Sequence, residues 1–83
     1  MKWPEDQEAL LLREMLLLSS QFMQKGKPDL SLQLIDRHDR CFKKKSSRAA
    51  LLKEKGYLYK TLKQDNKAME CFRKARELED GQD

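Results

Sequence analysis

Apolar residues recur every three or four positions along most of this chain, and no stretch alternates apolar and polar residues as a β-strand does. Proline, glycine and short polar residues interrupt this pattern at three places. The pattern therefore predicts four helices, at about residues 4–25, 28–44, 47–63 and 66–79. Because the connections between them are very short, consecutive helices are expected to pack antiparallel.

The residues at the predicted helix ends are the types that start or stop a helix. Pro4 suits the first turn of the first helix, and Gly26 suits the position directly after its last turn. Short polar side chains are the expected N-caps of the third and fourth helices: Ser46 or Ser47, and Asp65 or Asn66. These signals support the four helices that the periodicity predicts.

An internal repeat relates the two halves of the chain, with a period of 37 residues. Six positions of the later copy and their counterparts show it: Leu52, Gly56, Tyr59, Ala68, Phe72 and Ala75 against Met15, Ser19, Phe22, Ser31, Ile35 and His38. Five of the six pairs keep the size class of the side chain, and His38 is the exception. A repeat of this length indicates that the structural unit is a helical hairpin stacked on its neighbour.

Small residues in the repeat mark where the two helices of a hairpin approach each other. Antiparallel helices pack closely where both present a small side chain. This predicts that Gly56 lies opposite Ala68 in the second hairpin and that Ser19 lies opposite Ser31 in the first. A glycine inside a helix costs about 1 kcal/mol relative to alanine, so close packing is expected to compensate at position 56.

The later copy, residues 49–82, resembles the tetratricopeptide repeat, a 34-residue helical hairpin. Its six repeat positions match the family pattern in register, whereas Lys55 stands where leucine is usual and Asp80 where proline is usual. The earlier copy, residues 12–45, is similar mainly through its alignment with the later one. The spacer of residues 46–48 makes the period longer than the family norm.

The resemblance implies an all-α fold of two antiparallel helix–turn–helix hairpins in a right-handed stack. It also implies one domain over residues 1–83, in which a helical extension, residues 4–11, precedes the first repeat. Two repeats are fewer than such stacks usually contain. Three explanations stay open: the long first helix completes the core, the protein self-associates, or the chain is part of a larger protein.

Partner-binding residues follow from the same resemblance, because the family's concave face is built from the first helix of each hairpin. The matching positions that we take as candidates are Leu16, Ser20, Met23, Lys53, Tyr57 and Lys60. The last three also share one helix face by their spacing alone. An aromatic residue between two lysines suits an acidic peptide or a C-terminal carboxylate, although a solvated charged face has the same pattern.

The predicted first helix is apolar around most of its circumference, as helices buried on more than one side usually are. One reading is that the second and third helices together cover it. The other is that a remainder including Leu10, Leu16 and Met23 contacts another protein or a second copy of this chain. We therefore expect a partner protein, contributing a peptide or helix, and a homodimer is a further candidate.

Composition adds no catalytic or metal-binding signal. The chain has one histidine, no glycine-rich phosphate loop and no nucleophile–base grouping, so we expect a non-enzymatic protein without cofactor. Cys41 and Cys71 fit no CxxC spacing and are expected to be buried free thiols. His38 and Cys41 lie one helical turn apart, but two ligands are too few for tetrahedral zinc, so no metal is expected.

Charge and hydropathy give an expectation of location and one alternative function. Charged and apolar residues each make up 39% of the 83 residues, and no apolar run is long enough to span a bilayer, so we expect a cytoplasmic protein without membrane contact. Residues 43–67 carry nine Lys or Arg against two acids. The alternative function is therefore a small basic nucleic-acid-binding protein. It ranks lower because only Tyr57 is suited to stacking on bases.

Overall fold

The structure is a computed structural model that describes residues 6–80. These residues form four α-helices: α1 (Asp6–Gln24), α2 (Pro28–His38), α3 (Lys45–Thr61) and α4 (Asp65–Asp80). A short 3-10 turn, Asp39–Cys41, follows α2, and this part of the chain contains no strand. The all-α fold of four helices is confirmed, whereas the predicted helix start at Pro4 lies outside the described residues.

The helices are arranged as two hairpins, as predicted. α1 packs against α2 and α3 packs against α4, each along its sequence neighbour. α3 also contacts both helices of the first hairpin. The second hairpin therefore stacks on the first through α3.

α1 ends in a Schellman motif, in which a left-handed residue closes the last turn. The Lys27 N–H donates to the Phe22 carbonyl at 2.8 Å, and the Gly26 N–H donates to the Met23 carbonyl at 2.9 Å. Gly26 has a φ of +74°, which glycine adopts without a steric penalty. The helix stop that was predicted at Gly26 is confirmed.

α3 ends in the same motif 37 residues later. The Gln64 N–H donates to the Tyr59 carbonyl at 2.8 Å, and Lys63 takes the left-handed position with a φ of 62°. The last residues of α1 and α3, Gln24 and Thr61, also differ by 37 positions. The sequence repeat is therefore a repeat of the backbone at the turn within each hairpin.

The core lies where the two hairpins meet. One cluster of buried side chains unites α1, α2, the following segment and α3: Met15, Ile35, Phe42, Leu51 and Leu58. Ile35 and Leu58 are completely buried. Because burying such a side chain contributes about 1.5–3 kcal/mol, stacking of the hairpins is a main source of stability.

The predicted close contacts within the hairpins are present, with one difference in partner. Ser19 and Ser31 are both fully buried, and the Ser31 hydroxyl donates to the Ser19 carbonyl at 2.8 Å. At Gly56 the nearest atoms belong to the ring of Phe72: a Cβ there would lie 2.7 Å from two ring carbons. Ala68 is buried as well, but the residue that needs the glycine is Phe72.

Three local predictions are wrong. Asp65 and Asn66 are not the N-cap of α4, because α4 already begins at Asp65. α2 ends at His38 instead of residue 44, because the chain turns there and places Phe42 in the core. Ser46 and Ser47 do not cap α3, which already begins at Lys45 and has no side-chain cap from its own N-cap residue. The Glu8 carboxylate of α1 instead accepts the backbone N–H groups of residues 43 and 44.

Candidate interaction surfaces

An open groove runs between α3 and α4. It is lined by Lys53, Tyr57, Met69, Phe72, Arg73, Arg76 and Glu79, and we call it the α3–α4 groove. On the other face of α3, Lys55 pairs with Asp36 of α2. The groove therefore faces away from the first hairpin.

Three large apolar side chains form the floor and rim of the α3–α4 groove. Tyr57 is 58% exposed and Met69 is 69% exposed, whereas Phe72 is half-buried. The rings of Tyr57 and Phe72 meet edge to face, with centroids 5.3 Å apart and planes at 70°. An exposed apolar patch with a polar rim is typical of a binding surface.

The charges along this groove are predominantly positive. Lys53 Nζ lies 2.6 Å from Glu79 Oε2, and Arg73 Nη1 lies 2.6 Å from Glu77 Oε2. Arg76 has no ion pair within residues 6–80. Exposed pairs of this kind contribute about 0–1 kcal/mol each, so an incoming carboxylate can compete for these cations.

The candidate binding residues divide between this groove and α1. Lys53 and Tyr57 line the groove, and Lys60 continues it beside Met69 and Phe72. On α1, Ser20 is exposed, whereas Leu16 and Met23 are half-buried and Met23 packs against the core. Only the α3 candidates therefore lie in a common depression.

Sequence reasoning missed the contribution of α4 to the groove. Met69, Phe72, Arg73 and Arg76 follow the spacing i, i+3, i+4, i+7, which places them on one helix face. The binding positions that the tetratricopeptide resemblance implies lie on the first helix of each hairpin and therefore leave out α4. The spacing within α4 was the signal that could have found these residues.

A second uncovered surface lies on α1. Four leucines, Leu10, Leu11, Leu17 and Leu18, stay 39–55% exposed, and we call them the α1 leucine face. The opposite side of α1 is buried, with Met15 at 3% and Ser19 at 0% exposure. α2 and α3 thus cover one side of the helix, and within residues 6–80 nothing covers the other.

Polar contacts fix the stack of hairpins. The Ser19 hydroxyl donates to Glu54 Oε2 at 2.8 Å, and Lys55 Nζ lies 2.8 Å from Asp36 Oδ1. Partial burial disfavours the charged form of Lys55, but the hydrogen bond and the charge of Asp36 outweigh it, so the pKa of Lys55 is raised. Lys55 is therefore an ion-pair partner between the two hairpins.

The two cysteines differ in environment. Cys71 is a buried free thiol, as predicted, and burial raises its pKa. Cys41 is exposed, so its predicted burial is wrong, because it belongs to the 3-10 turn and not to a packed helix face. Within residues 6–80 no group of three or more His, Cys, Asp or Glu side chains could hold a metal ion.

The basic residues of the stretch 43–67 do not all lie on one surface. Lys53 and Lys55 point to opposite sides of α3, toward α4 and α2 respectively. The ammonium of Lys67 lies 5.7 Å from the centre of the Tyr59 ring. The nucleic-acid hypothesis stays a prediction that these contacts do not strengthen.

Comparison with known proteins supplies no family assignment. The chain matches no protein-family model, no curated protein and no solved structure. None of the helices in residues 6–80 has the length and apolar character needed to cross a membrane.

Proposed function

We propose that this protein is a non-enzymatic interaction scaffold of the tetratricopeptide type, located in the cytoplasm, that binds a peptide or helix of another protein. Its binding site is the α3–α4 groove. The supporting observation is that the second hairpin leaves open the surface that the first hairpin uses for packing.

The internal repeat allows the burial of equivalent residues in the two hairpins to be compared. Ile35 is completely buried because it packs in one cluster with Leu51 and Leu58 of α3. Phe72 stands 37 positions later and is only half-buried, since within residues 6–80 no helix lies over it. The second hairpin therefore has a packing surface without its counterpart.

The chemistry of the α3–α4 groove suits binding without reaction. Aromatic and thioether surface provides apolar contact, and the cations fix the orientation of a charged partner. Tyr57 and Arg76 belong to residue types that are enriched at the energetic centres of interfaces. This combination supports a partner protein more strongly than a small-molecule substrate.

The α1 leucine face supports a second property of the scaffold, which is self-association. Burying a leucine side chain fully contributes about 1.5–3 kcal/mol, and these four are already about half-buried. Association itself costs about 4–15 kcal/mol, so a contact through these leucines alone would be weak. We therefore assign the main binding function to the α3–α4 groove.

Site-specific photo-crosslinking tests the proposed function. A photoreactive phenylalanine analogue replaces Met69 in the groove, and in a matched control it replaces Gln33, which is exposed on α2. We expect discrete protein adducts from position 69 that disappear when Tyr57→Glu is added, and none from position 33. Equal adducts from both positions, or adducts that survive Tyr57→Glu, would contradict the proposal.

A further inference from the structure

The repeat register relates the α4 side of the α3–α4 groove to the surface of the first hairpin that faces α3. Four pairs matter: Met69, Phe72, Arg73 and Arg76 stand where the first hairpin has Leu32, Ile35, Asp36 and Asp39. The first two pairs keep their apolar character. In the other two pairs the charge is inverted.

In the first hairpin the two acids face basic residues of α3. Asp36 forms an ion pair with Lys55 at 2.8 Å. Asp39 lines the same small cavity as Arg48 and Lys55. The stacked helix therefore carries cations where the surface beneath it carries carboxylates.

In the second hairpin the same two positions are arginines, so a helix in the equivalent place must carry the opposite charge. We propose that the α3–α4 groove binds an amphipathic helix with acidic side chains, which lies on the second hairpin as α3 lies on the first. This inference rests on the proposed function and specifies the chemistry of the partner.

The contacts of α3 give the pattern of the bound helix. Arg48, Leu51, Lys55 and Leu58 face the first hairpin and follow the spacing i, i+3, i+7, i+10. The partner therefore carries an acid, a leucine, an acid and a leucine at these spacings. Its leucines cover Phe72 and Met69, and its carboxylates bind the two arginines.

The Arg73–Glu77 pair does not prevent this binding. It is an exposed i, i+4 pair, with both side chains more than 60% exposed. Exposed pairs of this kind contribute little to stability, so Arg73 can exchange its partner readily. Arg76 is already without an ion pair within residues 6–80.

Two matched peptides test the charge of the partner. The first is a fluorescein-labelled peptide of residues 45–61 with Arg48→Glu and Lys55→Glu, and the control is the same peptide without substitutions. Their binding to the full chain is measured by fluorescence anisotropy at low and moderate salt. We expect the acidic peptide to bind about tenfold or more tightly than the control, because each charge pair changes from repulsive to attractive.

A variant of the protein provides the reciprocal test. Arg73→Asp with Arg76→Asp gives the second hairpin the charges of the first. Both positions are exposed, so folding is expected to be preserved, and circular dichroism checks it. We expect this variant to prefer the unsubstituted peptide, which reverses the order of affinities.

Different failures of this experiment have different meanings. Equal binding of both peptides would overturn the acidic partner and leave the groove as a helix-binding site. Binding of neither peptide would overturn helix docking in the groove altogether. Growth of molar mass with concentration that Arg73→Asp abolishes, measured by light scattering, would assign the groove to a second copy and overturn the separate partner.

Discussion

Gly56 provides the sharpest test of how the second hairpin is packed. In an ordinary helix interior, replacing glycine by alanine stabilises the protein by about 1 kcal/mol. Here the new Cβ would lie 2.7 Å from the Cε1 and Cζ atoms of Phe72, well inside the carbon–carbon contact distance of about 3.5 Å. Such overpacking costs about 1–3 kcal/mol. Gly56→Ala is therefore expected to lower the free energy of unfolding by about 0–2 kcal/mol.

The first hairpin supplies the compensating change, because Ile35 stands where the second has Phe72. In a Phe72→Ile background the ring is gone, and Gly56→Ala should stabilise the protein by about 1 kcal/mol. The double-mutant cycle should therefore show a coupling of about 1–3 kcal/mol. Urea unfolding followed by circular dichroism at 222 nm measures all four proteins, and Ser20→Ala on an exposed helix position is the control. Stabilisation by Gly56→Ala in the wild-type background would show that the Phe72 ring moves aside and would refute the cost assigned to this contact.

Three further perturbations test other parts of the structure. Lys63→Gly should stabilise the protein by about 1 kcal/mol in urea unfolding, because a non-glycine residue holds the left-handed position there; unchanged stability would contradict the turn. If the protein self-associates, Leu17→Glu should reduce the molar mass measured by light scattering and keep the helicity. Leu16→Glu should in addition lower the free energy of unfolding, because Leu16 is half-buried. Iodoacetamide at pH 8 should alkylate Cys41 first, because burial and a raised pKa keep Cys71 protonated; equal rates would contradict its burial.

Local and periodic features of the chain were readable from the sequence. The apolar period identifies the four helices, and the 37-residue repeat identifies the hairpins, because both depend on spacing within one segment. The turn at Gly26 was readable for the same reason, since only a left-handed residue closes a helix in that manner. Its counterpart at Lys63 was not, because lysine carries no local signal for that conformation.

Features that depend on contacts between distant segments were not readable. The residues that lead into α3 are bound by Glu8, which lies 35 residues before Lys43 in the sequence. The early end of α2 reflects the burial of Phe42, which only the stacked hairpins make possible. The α1 leucine face was not separable from the buried side of the helix, because leucine occurs on both sides.

The inversion of charge between the two hairpins is the feature that connects fold and proposed function. Within one chain, the first hairpin shows how a helix is held on this surface, with Asp36 against Lys55. The second hairpin repeats the apolar part of that surface and changes the sign of its charged part. A third helix with the charges of α3 would therefore be repelled by Arg73 and Arg76, which supports the proposal of a partner with acidic side chains.

The most direct test of the account is to locate the bound helix on the protein by NMR. The uniformly ¹⁵N-labelled full chain is titrated with the acidic peptide described above, and amide shifts are followed residue by residue. We expect the shifts to concentrate on Tyr57, Met69, Phe72 and Arg76 and to leave the α1 leucine face unchanged. Shifts that concentrate on the α1 leucine face, or no shifts at saturating peptide, would contradict the claim that the α3–α4 groove is the binding site.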